Sequence, residues 1–548
     1  MSLFSYYSIR KCINLVILLP LLYQLNVVAT NLSSLAKNDP YPVFKAVDPQ
    51  EFLHTWCALC QKGIPNEINE CFQDVSIAIS PFGQNACTGK NFCNQGVPLG
   101  DLNGRWSMVG LLMGPLPGGK TLPPTLLNAL QNLFPGIAPG TLNDPNIIDP
   151  NQSFGFFSVP LRYYKRGLRW DFELNVGRGF GFIFQGGIAD IVQKVEGFDN
   201  LTCLPCPYPV NGTNCKNALS APYTINGSST TPALPTNATQ TAVNVPNLPS
   251  TPLPIECCNR ICDSTIPCCG RFFGGTPVDV KAPLTTLYPN YTASNVQEFL
   301  MNQLRPIARD IGLDICNFHK VSVEDLRLEL FWRDAHMVNK GRATWAEFLF
   351  IPYIEFGGSV AIGSAERSHQ AFSLSSGNNG HHSIGATGGI NLDFVDTVEI
   401  GAEAGITHFF AREFCDLRIP NQMSGRQPGN QCQLGIYPFS TQARVRPGMN
   451  WHFTAKLQTY HFIDRLSFYF QYVLVHHEHD CINLRNSDPA FAPSVLEEQS
   501  SFTSQMGNFS LYYDISPRLN LGFLVQLPFQ QQNAYRSTTV MFSLWSTF

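Results

Sequence analysis

The run HHEHD at residues 476–480 gathers five potential metal ligands in consecutive positions. His477 and His479 are two residues apart, so a strand would place both imidazoles on one face. Imidazole nitrogens are common ligands of zinc and other transition metals. Because no third ligand follows at a recognisable spacing, a polar start to a loop is the favoured interpretation. The sequence therefore predicts no metal site, and His477 and His479 are retained only as candidate ligands.

Cysteine is the second residue type that could carry chemistry, since the chain contains 18 of them. The segment ECCNRICDSTIPCC is the densest cluster, and thiolates bind zinc well, but disulfide bonds are the expected state in an oxidising compartment. The CxxC pair at residues 57–60 lacks the βαβ context of a redox enzyme and is also predicted to be structural. The disulfide candidates are Cys57, Cys60, Cys203, Cys206, Cys215, Cys257, Cys258, Cys262, Cys268 and Cys269.

The remaining polar residues form no recognisable catalytic set. The sequence contains no phosphate-binding loop, no HExxH motif and no nucleophile motif. The net charge of −4 is small for 548 residues, and no basic patch dominates, which argues against a nucleic-acid partner. We therefore expect neither enzymatic activity nor a cofactor.

The amino end indicates the compartment. Arg10 and Lys11 precede an apolar run, and Val27, Val28 and Ala29 then provide small residues for cleavage, as in a secretory signal peptide. After residue 29 no stretch reaches the roughly 18–20 apolar residues that a spanning helix needs. The mature chain is therefore expected to be either a soluble exported protein or a β-barrel in a membrane.

Period-two alternation of apolar and polar residues predicts strands along most of the chain after residue 154. In LRWDFELNV, Leu168, Trp170 and Phe172 share one face while charged residues occupy the other. The same pattern recurs in LRLELFW, in residues 388–410 and in residues 453–475. In a barrel the polar face would line the lumen, which gives the candidate pore-lining residues Arg169, Asp171, Glu173, Arg327, Glu329, Asp393, Glu399, Glu403, Lys456 and Gln458.

The connections between these strands are alternately short and long. Tight turns are predicted near Asp396, Asp464 and Ser516, whereas residues 363–384, 411–449 and 478–501 are long and polar. This asymmetry is typical of a transmembrane barrel and is favoured over a soluble β-sandwich, which alternates without that rhythm. We expect an all-β, antiparallel transmembrane β-barrel of about 12–16 strands, with a best count of about fourteen.

The carboxyl-terminal strand resembles those of Gram-negative outer-membrane barrel proteins, porins among them. Its last residues, 541–548, read MFSLWSTF, and Val540, Phe542, Leu544 and Phe548 lie on the same face of the strand. The resemblance implies that lipid surrounds the barrel and that the barrel assembly machinery recognises these four residues. It extends over most of the chain after about residue 70, and the cysteine content is similar to that of the disulfide-linked major outer-membrane proteins of chlamydia-like bacteria.

These patterns divide the chain into five segments. Residues 1–29 are the signal peptide, and residues 30–72 are a cysteine-containing periplasmic or lumen segment. Residues 73–190 hold the first barrel strands, and residues 323–548 hold the remaining strands. Between them, residues 191–322 form a cysteine-rich insertion, in which Ser294 and an apolar stripe at helical spacing predict a helix near 294–315.

The first functional hypothesis is a porin-like passive channel for small hydrophilic solutes in the outer membrane of a Gram-negative bacterium. The alternative is a structural or adhesive surface protein that the barrel anchors and disulfide bonds cross-link. A membrane-embedded enzyme is a third, less favoured hypothesis because no catalytic set is visible, and specific transport of a hydrophobic ligand is a further alternative. Self-association, through disulfide bonds or as a trimer, is compatible with the first two.

Overall fold

The fold is taken from a computed structural model, which describes part of the 548-residue chain. The described residues are 75–91, 94–102, 157–177, 179–200, 304–338, 348–394, 398–420, 439–516 and 518–548, with the single positions 106, 118, 124, 125, 127 and 128. The predicted signal peptide, the 30–72 segment and all ten disulfide candidates lie outside these residues.

Twelve strands of the described residues form one closed antiparallel barrel. The first six strands are β1 (Val75–Ala86), β2 (Leu161–Gly177), β3 (Phe180–Val195), β4 (Leu326–Arg333), β5 (Phe348–Val360) and β6 (Ser383–Phe394). The last six are β7 (Val398–Phe409), β8 (Asn450–Ile463), β9 (Leu466–His477), β10 (Phe502–Ser516), β11 (Leu519–Gln532) and β12 (Thr538–Thr547).

Each barrel strand pairs with the strand before it and the strand after it in the chain, and β1 closes the barrel by pairing with β12. The position of β4 is completed by two short flanking strands, Phe318–Val323 beside β3 and His336–Val338 beside β5. The break before β4 falls at Glu324 and Asp325, two polar residues whose side chains bond elsewhere. A second interruption falls at Asp334 and Ala335, and backbone hydrogen bonds from Glu324 to Gly187 at 2.8 Å and from Asp334 to Pro352 at 3.2 Å continue the wall at both points.

The predicted class, an all-β antiparallel barrel, is confirmed, and the observed twelve strands lie at the lower end of the expected range. The count of fourteen divided residues 154–177 into two strands, whereas Leu161–Gly177 is one strand of 17 residues. It also included a strand at 104–114, where only position 106 is described and forms an isolated bridge to Phe157. Gly167, between the two predicted strands, lies inside β2.

The two faces of the wall differ as the sequence predicts. Large apolar side chains such as Phe172, Ile390 and Phe542 are exposed on the outer face. Polar side chains such as Glu173, Asn391 and Ser543 alternate with them and are buried on the inner face. An apolar outer face around a polar interior is the arrangement of a barrel that sits in a lipid bilayer.

Among the described residues, no helix combines the length and apolar character needed to cross a bilayer.

The two ends of the barrel differ in their connections. At the tight-turn end, β2 meets β3, β8 meets β9 and β10 meets β11 within a few residues, and both ends of the barrel sequence lie there. At the opposite, long-connection end, the chain makes short strands and helices of its own. Helix α1 (Leu304–Asp310) lies within the predicted 294–315 helix, and it buries Leu304 and Ile307; residues before 304 are outside the described part.

A small domain, here named the cap, forms at the long-connection end where long polar loops were expected. It comprises the strands Arg412–Arg418, Ser440–Arg446 and Cys481–Leu484 and helix α2 (Pro493–Ser500). The three strands make a separate antiparallel sheet. Its apolar core includes Phe414, Leu417, Val445, Ile482 and Leu496, and no residue of that core belongs to a barrel strand.

Candidate functional site: the barrel interior

A charged cluster crosses the interior from β5 to β8, and it is here named the inner cluster. Lys456 donates to the carboxylate of Glu403 at 2.9 Å and to the phenol oxygen of Tyr353 at 2.6 Å. The Tyr353 hydroxyl donates to Glu403 at 2.5 Å, and Thr454 donates to the other carboxylate oxygen at 2.9 Å. All four residues are buried, so their charges and dipoles interact in a low-dielectric environment.

Glycine makes the inner cluster possible. Tyr353 on β5 and Glu403 on β7 are separated by β6, where Gly389 is the residue in register with both. A β-carbon on Gly389 would lie 2.5 Å from the Tyr353 ring and hydroxyl. Without a side chain at this position, the phenol can pass over β6 and reach the carboxylate.

A second ion pair lies beside the inner cluster. Arg333 donates to Glu355 at 3.1 Å, and its guanidinium lies 4.3 Å from the centroid of the Phe331 ring. Arg333 is 5% exposed and Glu355 is fully buried. A buried pair of this kind is costly to desolvate, and it is retained when good hydrogen bonds offset that cost.

A third charged group lies at the break in the wall. Glu324 accepts from Arg169 at 2.9 Å and from Lys165 at 2.9 Å, two inward residues of β2. The carboxylate passes over Gly187 of β3, where a β-carbon would lie only 2.6 Å from it. Asp325 turns the other way and accepts backbone N–H groups of Gly363 at 2.8 Å and Asn378 at 2.6 Å. Glu324 and Asp325 therefore link β2 to the β5–β6 connection.

Opposite the charged clusters, neutral side chains form a hydrogen-bonded ladder. Asn508 donates to Gln471 at 2.8 Å, Gln526 donates to Asn508 at 3.1 Å, and Thr539 donates to Gln526 at 3.2 Å. These residues come from four consecutive strands, β9 to β12, and each is at most 1% exposed. The interior thus has a charged side and an amide side.

Apolar clusters flank the polar interior towards both ends of the barrel. At the tight-turn end, Tyr460, Tyr469, Tyr512 and Trp545 pack with Ala78. At the long-connection end, barrel residues such as Met506 and Met541 belong to the same apolar cluster as α1 and the β5–β6 connection. The inner face is therefore polar along its middle and apolar towards both ends.

The structure places all ten candidate pore-lining residues on the inner face. Glu173, Glu329, Asp393, Glu399, Glu403, Lys456 and Gln458 are buried, and Arg169, Asp171 and Arg327 are partly exposed. The structure brings Glu403 and Lys456 into contact, and Glu399 accepts from Tyr460 at 2.6 Å. Whether these residues select solutes remains a prediction.

Sequence reasoning missed Tyr353, Glu355, Arg333, Lys165 and Glu324. The inner face of β5 begins with Leu349 and Ile351, and its outer face is also apolar, so alternation gave no sign of which face was polar. Arg333 was counted within a strand, but its partner Glu355 follows 22 residues later.

The two candidate metal ligands form hydrogen bonds within the protein. Each ring nitrogen of His477 faces an oxygen atom, one of Asn450 and one of Asp480 at 3.0 Å, and the ring stacks on Phe502. His479 bonds to the carbonyl of Glu497. Within the described part of the chain, no group of three ligating side chains could hold a metal. The assembly residues Phe542, Leu544 and Phe548 are exposed on the outer face or end of β12, with Val540 partly exposed.

Four cysteines fall in the described residues, and all four are free thiols: Cys87, Cys316, Cys415 and Cys481.

Comparison with known proteins gives a loose similarity of fold only. No protein-family model and no curated protein matches the chain. An outer membrane channel from Pseudomonas putida F1 aligns over 87% of this chain and 96% of its own, with 4% identity and a TM-score of 0.38. The translocator domain of the autotransporter NalP from Neisseria meningitidis (6% identity, 91% and 96% coverage, TM-score 0.27) and the toluene transporter TbuX from Ralstonia pickettii (8%, 87% and 90%, 0.25) are further examples.

Proposed function

We propose that this chain is an outer-membrane β-barrel that acts as a porin-like passive channel for small hydrophilic solutes, and that the conformation described is its closed state. The observation that carries the proposal is a charged and amide-rich interior inside a closed wall with an apolar exterior. Filling a barrel with apolar side chains would avoid the cost of burying ions. Retained interior charges are therefore best explained by a path for polar solutes.

The cap supplies the gate in this proposal. Its Arg418 donates to the carbonyls of Ser368 at 3.0 Å, Ile311 at 2.6 Å and Gly312 at 3.1 Å. These carbonyls belong to the β5–β6 and β3–β4 connections, so one buried guanidinium joins the cap to two other parts of the long-connection end. Burial lowers the pKa of Arg418, yet the guanidinium stays charged because its ordinary pKa is so high. Breaking this clasp would let the cap move away.

Further parts of the proposal concern biogenesis and location. In it, residues 1–29 direct export and are removed, the strand that ends at Phe548 is recognised by the barrel assembly machinery, and the long-connection end faces outwards. The similarity to cysteine-rich major outer-membrane proteins of chlamydia-like bacteria belongs to the same proposal.

Single-channel conductance of the refolded chain in a planar bilayer tests the function. The wild type should show brief openings, and R418Q, which removes the clasp, should lengthen them several-fold. R444Q is the matched control because Arg444 is exposed on the cap and bonds to none of those carbonyls. A folded barrel that stays silent in both wild type and R418Q would contradict the channel.

The alternative of a surface protein anchored by the barrel is favoured by one observation, namely that the cap has its own apolar core. Reducing and non-reducing gels of isolated envelopes test it. Large oligomers that disappear on reduction would support a cross-linking role, and a single monomeric band under both conditions would argue against it.

A further inference from the structure

On the outer face of β2, β3 and the strand Phe318–Val323, the side chains change from apolar to charged near the long-connection end. Nearer the tight-turn end, rows of apolar residues cross these strands, and the last such row is Leu168, Ile188 and Val323. The next row is Arg166, Asp190 and Val321, and then Tyr164, Val192 and His319. Arg162 and Lys194 form the last row. Arg162, Arg166, Lys194 and His319 are here named the basic rim patch.

The position of the patch matches the edge of a lipid bilayer. From Val176 to Leu168 the outward side chains are apolar or aromatic, and these two residues are eight steps apart along the strand. At about 3.3 Å per residue and a tilt of about 40°, this stretch rises about 20 Å. The apolar band of such a barrel is about 25 Å tall, so the patch begins where hydrocarbon gives way to lipid headgroups.

The side chains of the patch reach outwards. The Arg166 side chain is 79% exposed, that of His319 64% and that of Arg162 49%. Arg166 and His319 share Asp190, at 2.9 Å and 2.8 Å, and Arg162 pairs with Glu196. Among the described residues, Lys194 has no ion-pair partner.

Like charges face each other within the patch. Arg162 and Lys194 are directly opposite across β2 and β3, where β-carbons lie about 5 Å apart and like charges are destabilising. Glu196 pairs with Arg162, so a bound anion would supply the counter-charge for Lys194. At this end, His408, Trp451, His476 and Gln530 occupy outward positions of four other barrel strands, and none of these residues is an arginine or a lysine.

We propose that the basic rim patch binds the phosphate group of an anionic lipid in the outer leaflet. Arginine can hold phosphate through two parallel N–H bonds, and lysine adds a point charge. Tyr164 and the row of Leu168, Ile188 and Val323 provide the apolar surface against which the acyl chains pack. The proposal rests on the proposed orientation in the outer membrane, but it does not depend on whether the barrel conducts.

Native mass spectrometry of the full chain in detergent can test this site. The probe is lipid A, a glycolipid with two phosphate groups, with phosphatidylethanolamine as the comparison. Wild type should retain lipid A, and R166Q/K194Q should bind it at least about tenfold more weakly, since each charge-assisted bond to phosphate contributes substantially. K194Q alone should show part of this loss, and it removes no described contact that the fold needs. Binding should also weaken as salt rises.

The double variant R444Q/R446Q is the control, because it removes two exposed positive charges from the cap. Equal lipid A retention by wild type and R166Q/K194Q, or an equal loss in the cap control, would overturn the site. So would phosphatidylethanolamine binding as tightly as lipid A, or full displacement of lipid A by millimolar inorganic phosphate. Because binding in detergent requires no conduction, a silent but lipid-binding barrel would contradict only the channel.

Discussion

The phenol of Tyr353 and the carboxylate of Glu403 are joined by a 2.5 Å hydrogen bond, although a whole strand lies between them. Lys456 contacts both groups, so three strands are linked by one buried set of charges. This set of contacts, here named the brace, should stabilise the barrel, and its contribution to the free energy of unfolding can be measured.

Replacing Lys456 with Met should destabilise the barrel by about 3–5 kcal/mol, because it leaves the Glu403 carboxylate buried without its ammonium. Urea unfolding in lipid vesicles measures the effect. The double variant K456M/E403Q should regain part of the loss, since both charges are then gone. L457M is the control on the outer face, and it should cost less than about 1.5 kcal/mol. Equal stability of K456M and L457M would show that the brace contributes nothing.

Replacing Gly389 with Ala should destabilise the barrel by about 1–3 kcal/mol, the usual cost of overpacking. The new methyl group would lie 2.5 Å from the Tyr353 ring, which must then leave Glu403. The adjacent Gly388 provides a matched control, because a β-carbon there meets only a backbone oxygen at 3.7 Å. G388A should stay within about 0.5 kcal/mol of wild type. If the two variants unfold at the same urea concentration, the passage over β6 is not restricted.

His381 should make stability depend on pH. It is fully buried outside the barrel strands, its Nδ1 faces the carbonyl of Phe410, and burial lowers its pKa to about 4. The Asp480 carboxylate opposes this shift, and Arg412 adds to it. Because the unfolded imidazole binds a proton near pH 6.5 and the folded one does not, the unfolding free energy should fall as pH drops from about 6.5 to about 4, by at most about 3 kcal/mol.

Unfolding of wild type and H381N across this pH window checks the effect of His381. The asparagine amide can still donate to the Phe410 carbonyl but does not titrate. The variant should therefore lose much of the pH dependence, whereas H369N, at an exposed position in the same connection, should keep it. Parallel pH curves for wild type and H381N would refute the assignment.

Deleting Phe548 should slow assembly more than it lowers stability. The side chain is 64% exposed, and the residue contributes one backbone bond, from its N–H to the Val75 carbonyl at 2.9 Å. The fraction of heat-modifiable barrel during expression in a Gram-negative host reports assembly, and urea unfolding reports stability. An unchanged assembly rate, or a loss of stability that accounts for the whole defect, would argue against a recognition role.

The barrel could be predicted from the sequence because it depends on a local rule, the alternation of apolar and polar side chains. Glu399 and Glu403 were placed on the inner face in this way. The cap could not be predicted, because its strands pair across long separations, such as Arg446 with Cys481, and carry no long alternating run. The contacts inside the barrel could not be predicted either, because Tyr353 and Glu403 lie on strands that are not adjacent. Their contact depends on the closed barrel and on the missing side chain at Gly389.

The join between β3 and β4 has a consequence for engineering. These neighbouring strands meet along their edges, yet more than a hundred residues of chain run between them. Closure entropy grows only slowly with the length of a connection, by about 0.6 kcal/mol for each doubling, so we expect the pairing of β3 with β4 to tolerate an insertion between them. A foreign epitope or a small binding domain could therefore replace part of the interval at the long-connection end, and we expect the twelve paired strands to keep the barrel closed.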